Sequence, residues 1–209
     1  MRVLGTELCS ADFLTRYLVR GTRYYSLMPE KMQPHAVFLL GFMGAGKTSV
    51  GQALAHRLGW RFVDLDQRIE AREGRTIAEI FAGSGEEAFR GIETAELRDL
   101  LAELDRGSPM VVALGGGAPA REENAALLAS CGVPQVFLDA PFEVVHERCR
   151  EAAAARPLFR EVGRARLLYE SRRRHYLKAQ FRVDTTSRSV EQTAAWIARA
   201  LALESTEGG

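Results

Sequence analysis

The stretch from Ala36 to Leu58 constrains this chain more than any other. AVFLL (36–40) is a continuous apolar run, the pattern of a strand buried on both faces. GFMGAGKT (41–48) follows, and TSVGQALAHRL (48–58) then reads as a helix. A strand, a glycine-rich turn of the form G-x-x-x-x-G-K-[ST] and a helix make the context in which that motif is a phosphate loop. Gly41, Gly44 and Gly46 free the backbone to aim several N–H groups at one point. The helix N-terminus adds its dipole, so a phosphate chain is held there. Lys47 is placed to reach the β- and γ-phosphates, and the Thr48 hydroxyl to ligate Mg2+. The loop specifies a nucleoside triphosphate and leaves open what receives the phosphate.

The remaining pattern alternates. RFVDLD (61–66), MVVAL (110–114), QVFLDA (135–140) and FRVDT (181–185) read as further strands. Helical stretches lie between and after them, at 76–104 with breaks near Gly83 and Gly85, and at 122–130, 142–151, 164–179 and 189–203. This order predicts an α/β fold with helices packed on a mostly parallel sheet. One P-loop domain spans 34–204, with no internal repeat. Residues 1–33 hold Tyr17, Tyr24 and Tyr25 without a clear apolar period, and 11–20 could form a short helix. They are expected to be a poorly ordered extension or to follow a misassigned start, with a docking arm as the functional alternative. The tail 205–209 is expected to fray.

Composition excludes several classes. Of 209 residues, 46% are hydrophobic and 26% charged, which is ordinary for a globular chain. A net charge of +1 gives no overall case for a nucleic-acid or membrane partner. Cys9, Cys131 and Cys149 are odd in number and fit no zinc spacing, as suits reduced thiols in a cytoplasmic protein. No apolar run is long enough to span a bilayer, and no signal peptide is evident at the N-terminus. We expect a monomer.

Acidic and basic residues mark a second site. Asp64 and Asp66 lie two apart, and on a strand both would project from one face, at the carboxyl end where open α/β sheets bind ligands. One acid could hold Mg2+ through water while the other takes a hydroxyl proton. Asp66 also precedes a helical stretch and could simply cap it. Spacing leaves both readings open. Arg90 and Glu93 fall one turn apart, which alone says only that they can pair. Residues 148–182 hold eleven Arg or Lys against three Glu. That excess fits a solvated helix face, a basic lid over a transferring phosphate (151–163), or, at Arg172–Arg174, a nucleic-acid patch.

Taken in order, GFMGAGKT, FVDLDQRIE, IFAGSGEEAFRGIE, VVALGGGA, the RPL of 156–158 and an R-x-x-x-Y segment ending at Tyr176 resemble the shikimate kinase family over about residues 36–203. The resemblance implies a three-layer P-loop kinase fold with a five-stranded parallel sheet, a helical substrate-binding region and a mobile lid. It implies Mg2+- and ATP-dependent phosphorylation of the 3-hydroxyl of shikimate. ATP would be held by Gly44, Ala45, Gly46, Lys47, Thr48 and Ser49, with Arg148 near the adenine and Arg156 closing over the phosphates. Shikimate would be held by Asp66, Arg90, Gly115, Gly116, Gly117 and Arg172, and Mg2+ by Thr48 and Asp64. Lys47, Asp66 and Arg156 would be catalytic, with Glu93 orienting Arg90. The lid-to-clamp spacing is short for the family and the usual Pro before Leu-Tyr is missing, so Arg172, Arg173 and Arg174 compete for the clamp position. Rival expectations are a related kinase for another polyol acid such as gluconate, and a ligand-sensing module without turnover.

Overall fold

A computed structural model describes residues 34–104, 106–151 and 161–203. Five strands form one parallel sheet: β1 (Ala36–Leu40), β2 (Arg61–Asp64), β3 (Met110–Ala113), β4 (Gln135–Asp139) and β5 (Phe181–Asp184). Their spatial order is β2-β3-β1-β4-β5. The helices are α1 (Lys47–Leu58), α2 (Leu65–Glu73), α3 (Ile77–Leu104), α4 (Glu122–Ser130), α5 (Phe142–Glu151), α6 (Val162–Tyr176) and α7 (Val190–Ala200). A 3-10 turn, Ala118–Ala120, precedes α4. Every residue of β1 and β3 is buried, as their unbroken apolar runs require at the centre of a sheet covered on both faces. On one face α1 packs closely, and the contact is made at Gly51. A Cβ there would drive into the Phe62 ring.

Register brings the loops together. Asp64 pairs with Ala113, Ala113 with Leu39, and Leu40 with Phe137. The loops after β2, β3, β1 and β4 therefore leave the sheet side by side along its carboxyl edge. The loops of an open α/β sheet bind ligands at that edge.

Several boundaries differ from the sequence expectation by one to three residues, and those near the site have visible causes or consequences. Strand β2 stops at Asp64 rather than at residue 66, because the Asp64 carboxylate turns back and accepts from the Asp66 and Gln67 N–H groups, capping α2. The break expected near Gly83 and Gly85 is at Gly85 alone, whose φ of 81° interrupts α3. Helix α6 begins at Val162, inside the stretch read as a lid, and ends at Tyr176 rather than at 179. Residues 1–33 and 204–209, together with the lid's 152–160 and its Arg156, lie outside the described residues.

Candidate active site

The phosphate loop is built by backbone freedom and by close packing beneath it. Gly44 and Gly46 adopt φ of 78° and 94°, values that favour glycine. A Cβ on Gly44 would lie 2.8 Å from Cys149 Sγ and 2.9 Å from the Val145 carbonyl, so the loop rests directly on α5. Gly46 opens α1 with no side-chain cap and no acidic residue in the first turn. That leaves the N-terminal N–H groups and their dipole facing the loop, as anion binding requires. Ala45 is buried in the loop, while Ser49 lies on the exposed side of the first turn of α1. Lys47 Nζ donates to the carbonyls of Gly41 (2.9 Å) and Phe42 (3.2 Å), which hold the ammonium over the loop. Arg148 donates to the carbonyls of Gly44 (3.4 Å) and Thr185 (3.3 Å), joining the loop to the end of β5.

The two aspartates do not share a strand face. Asp64 caps α2 and also accepts from Thr48 Oγ1 at 2.8 Å. Asp66 lies within the first turn of α2. Capping thus accounts for Asp64, the reverse of the alternative weighed from spacing. Thr48 and Asp64 place a hydroxyl and a carboxylate together at the mouth of the loop. Such hard oxygen donors fit Mg2+, which takes one or two protein ligands and otherwise keeps water and phosphate.

Gly115, Gly116 and Gly117 form a turn against which several charged side chains pack. A Cβ on Gly115 would lie 2.6 Å from Asp66 Oδ1 and 2.8 Å from Glu93 Oε1. On Gly116 it would lie 3.3 Å from Arg172 Nη1 and 3.6 Å from the Tyr176 hydroxyl. On Gly117 it would collide with the Arg90 guanidinium. Three missing side chains thus let Asp66, Arg172 and Arg90 converge on one turn. Asp66 comes from α2, Arg90 from the part of α3 beyond its kink, and Arg172 from α6.

Charge in this site is unevenly satisfied. Arg90 is held by the buried Glu93 (2.8 Å) and by Glu86 (3.2 Å). Arg172 makes no ion pair among the described residues; its guanidinium lies 5.9 Å from the centre of the Phe42 ring. Burial lowers its pKa, and the like charge of Arg90 adds to that. Burial pushes the Asp66 carboxyl above its ordinary range, against the pull of Lys47 and Arg90. Burial likewise raises Glu93, whose Oε1 has no hydrogen-bond partner and faces Gly115. A cavity of about 340 Å3 opens here, lined in part by Glu86, Arg90, Gly117, Arg121 and Arg172.

The three arginines that compete for the clamp position go to different places. Arg172 faces the glycine turn. Arg173 pairs with Asp139 at 2.9 Å, and Arg174 donates to the Ser171 carbonyl on the exposed side of α6. Glu86 and Tyr176 were not assigned roles from sequence. Tyr176 gives no local signal, since its contact, the Gly116 carbonyl, lies 60 residues away.

A phosphate loop that shares the carboxyl edge of a parallel sheet with a carboxylate and two arginines defines a P-loop phosphotransferase with an acidic hydroxylated acceptor. A family model described as shikimate kinase matches residues 43–202. The chain belongs to the shikimate kinase family. The shikimate kinase of Geobacter metallireducens is 45% identical over 164 residues, covering 77% of this chain and 88% of that protein. The solved shikimate kinase from Acinetobacter baumannii in complex with shikimate superposes with a TM-score of 0.74 at 32% identity, covering 83% of this chain and 97% of that one. A gluconokinase from Sinorhizobium meliloti shares the fold at a TM-score of 0.50 and 20% identity, covering 81% of this chain and 91% of that one.

Proposed function

We propose that this chain transfers the γ-phosphoryl group of ATP to the 3-hydroxyl of shikimate, giving shikimate 3-phosphate and ADP. The observation that carries this reading is the convergence on one glycine turn of the Asp66 carboxylate with two guanidiniums, Arg172 making no ion pair among the described residues. Two arginines suit a carboxylate, because a guanidinium presents paired N–H donors to it. A carboxylate above its ordinary pKa suits proton transfer from a hydroxyl near neutral pH. An acceptor therefore needs an acid group at one end and a hydroxyl at the other.

Loop N–H groups from Gly44 to Ser49 bind the phosphates, and Lys47 supplies charge at the β- and γ-positions. Arg148 borders the nucleotide side. Arg90 and Arg172 fix the acceptor carboxylate against Gly115–Gly117, and Glu93 holds Arg90 in place. Asp66 accepts the hydroxyl proton as the new O–P bond forms. The bond from the γ-phosphorus to the β,γ-bridging oxygen breaks, and its electron pair leaves with ADP. Arg156 is assigned the neutralisation of charge on the transferring group. Thr48 would hold Mg2+ directly and Asp64 would hold it through water. Bound there, the ion neutralises charge on the β- and γ-phosphates. Positioning and charge neutralisation make up nearly all of this catalysis.

We read residues 34–204 as the P-loop domain and the chain as a cytoplasmic monomer. Large apolar side chains are exposed among the described residues only at Val162, Leu167 and Leu177, which supports the monomer. Light scattering on the eluting protein checks it.

The test is ADP release from Mg-ATP with shikimate, gluconate or quinate as acceptor. Shikimate-dependent release is expected, with kcat falling ~100-fold or more in Asp66→Asn. Arg90→Ala is expected to raise the shikimate KM by roughly 10- to 100-fold, the value of a charged hydrogen bond. Turnover on gluconate instead would assign the site to another polyol acid. Nucleotide binding without turnover on any acceptor would make it a sensing module.

A further inference from the structure

The inner face of α6 touches three different loops of the sheet edge. Tyr169, Arg172 and Tyr176 lie three and then four residues apart, so they form one stripe along the helix. Tyr169 donates to the Ala140 carbonyl after β4 at 2.9 Å. Arg172 lies against Phe42 of the phosphate loop. Tyr176 donates to the Gly116 carbonyl after β3 at 2.5 Å. Tyr176 is 1% exposed, and its ring packs on Phe137 at 5.3 Å between centres.

The Gly116 carbonyl is one half of a peptide unit whose other half is the Gly117 N–H. In a trans peptide these two groups point in opposite directions. A hydroxyl that draws the carbonyl toward α6 therefore turns the Gly117 N–H away from α6. Neither the Gly116 nor the Gly117 N–H donates a hydrogen bond among the described residues, although Gly117 is buried. Gly117 lines the cavity, so this backbone donor can be met there by water or by a bound acceptor.

We infer that Tyr176 is a positioning residue for the acceptor: its hydroxyl sets the Gly116–Gly117 peptide so that the Gly117 N–H points away from α6 and toward the acceptor held between Asp66, Arg90 and Arg172. This rests on the reading of the site as the shikimate site. Arg172 and Tyr176 lie one turn apart on α6, so one helix sets both a guanidinium and, through the Gly116 carbonyl, the Gly117 N–H. The role is not chemical: among the described residues the Tyr176 hydroxyl hydrogen-bonds to the Gly116 carbonyl and to no group that reacts.

The test is Tyr176→Phe in the full chain, with Tyr169→Phe as its comparison. Phenylalanine keeps the ring on Phe137 and removes only the hydroxyl. The expected result is a roughly five- to tenfold rise in shikimate KM, the range of one lost hydrogen bond. The ATP KM should stay within about twofold and kcat within about threefold, set against that larger effect. Tyr169→Phe loses a bond of the same kind on the same stripe, so its shikimate KM should not move. A merely structural role would lower the melting temperature of both variants and move neither KM. The inference is overturned by an unchanged shikimate KM in Tyr176→Phe, by an equal rise in the ATP KM, or by a variant that does not fold. Wild-type protein that fails to turn over shikimate would instead overturn the proposed function, and the wild-type assay alone distinguishes that failure.

Discussion

Asp66 is placed where the fold disfavours the charge that its proposed role as proton acceptor needs. Burial raises its pKa, the nearby Asp64 and Glu70 add to this, and Lys47 and Arg90 offset it only in part. For a carboxyl raised on folding, the associated stability is fully present below the unfolded pKa. It is lost as pH rises through the folded value. At pH 7 the ionised Asp66 therefore weakens the fold. Asp66→Asn is expected to melt a few degrees above wild type at pH 7 while losing turnover. The gap should narrow as pH falls through the folded value and close below the ordinary aspartate value of 3.8, where wild-type Asp66 is protonated in both states. Melting curves across pH 3–8 check this, and a gap independent of pH would contradict it. Gly117 offers a second test at this scale. Any Cβ there must displace the Arg90 guanidinium, which is the free end of a flexible side chain. Gly117→Ala should fold normally and raise the shikimate KM while leaving the ATP KM alone, which initial-rate kinetics would show.

Helix α3 is divided at Gly85, and only its second part carries Arg90 and Glu93. That part is fastened to β2 and α2 by a ladder of ion pairs. Arg61 and Arg68 each meet Glu103 at 2.6 Å, Arg68 meets Glu96 at 2.7 Å, and Arg72 bridges Glu96 and Asp99. Glu96 is 1% exposed, so its charge depends on these arginines. Removing one member of a buried pair is costly, though partly exposed partners reduce the cost. Glu96→Ala is expected to lose about 2 kcal/mol in urea unfolding, with kinetic constants unchanged where the protein stays folded. Hydrogen bonds from Arg68 and then Arg61 hold Glu103 down to about 2. Its contribution is present above the ordinary carboxylate range and is lost as pH falls toward 2, opposite in sign to Asp66. Elements of this kind differ in how far the sequence reveals them. The phosphate loop was legible because each part is local: an apolar run, glycines, a helix start. The capping role of Asp64 was not, because a side-chain bond to the next turn competed with continuation of the strand. That Arg172, rather than its two neighbours, faces the glycine turn was partly legible from its spacing to Tyr176. The convergence on Gly115–Gly117 was not, since it depends on how α2, α3 and α6 meet the sheet edge.

Across the whole molecule, the strand order places the two proposed binding regions next to each other on separate supports. The nucleotide side rests on β1, α1 and α5. The acceptor side rests on the turn after β3, with α2, the far part of α3 and α6 around it. Loss of a side chain on one support should therefore leave binding on the other. A ligand at about 100 times its Kd adds roughly 2.7 kcal/mol to a fold that alone binds it. For a chain of this size that is a rise of roughly 5–10 °C in melting temperature. Wild type should show such a rise with Mg-ADP alone and with shikimate alone. Lys47→Ala should lose the nucleotide-dependent rise and keep the shikimate-dependent one, while Arg90→Ala should do the reverse. Asp66→Asn should keep the nucleotide rise, since its defect lies in proton transfer and acceptor contact. The same thermal series on three variants separates the two supports without measuring turnover. Loss of both rises in either Lys47→Ala or Arg90→Ala would show that the two regions form only together, and that the edge of the sheet behaves as a single cooperative site.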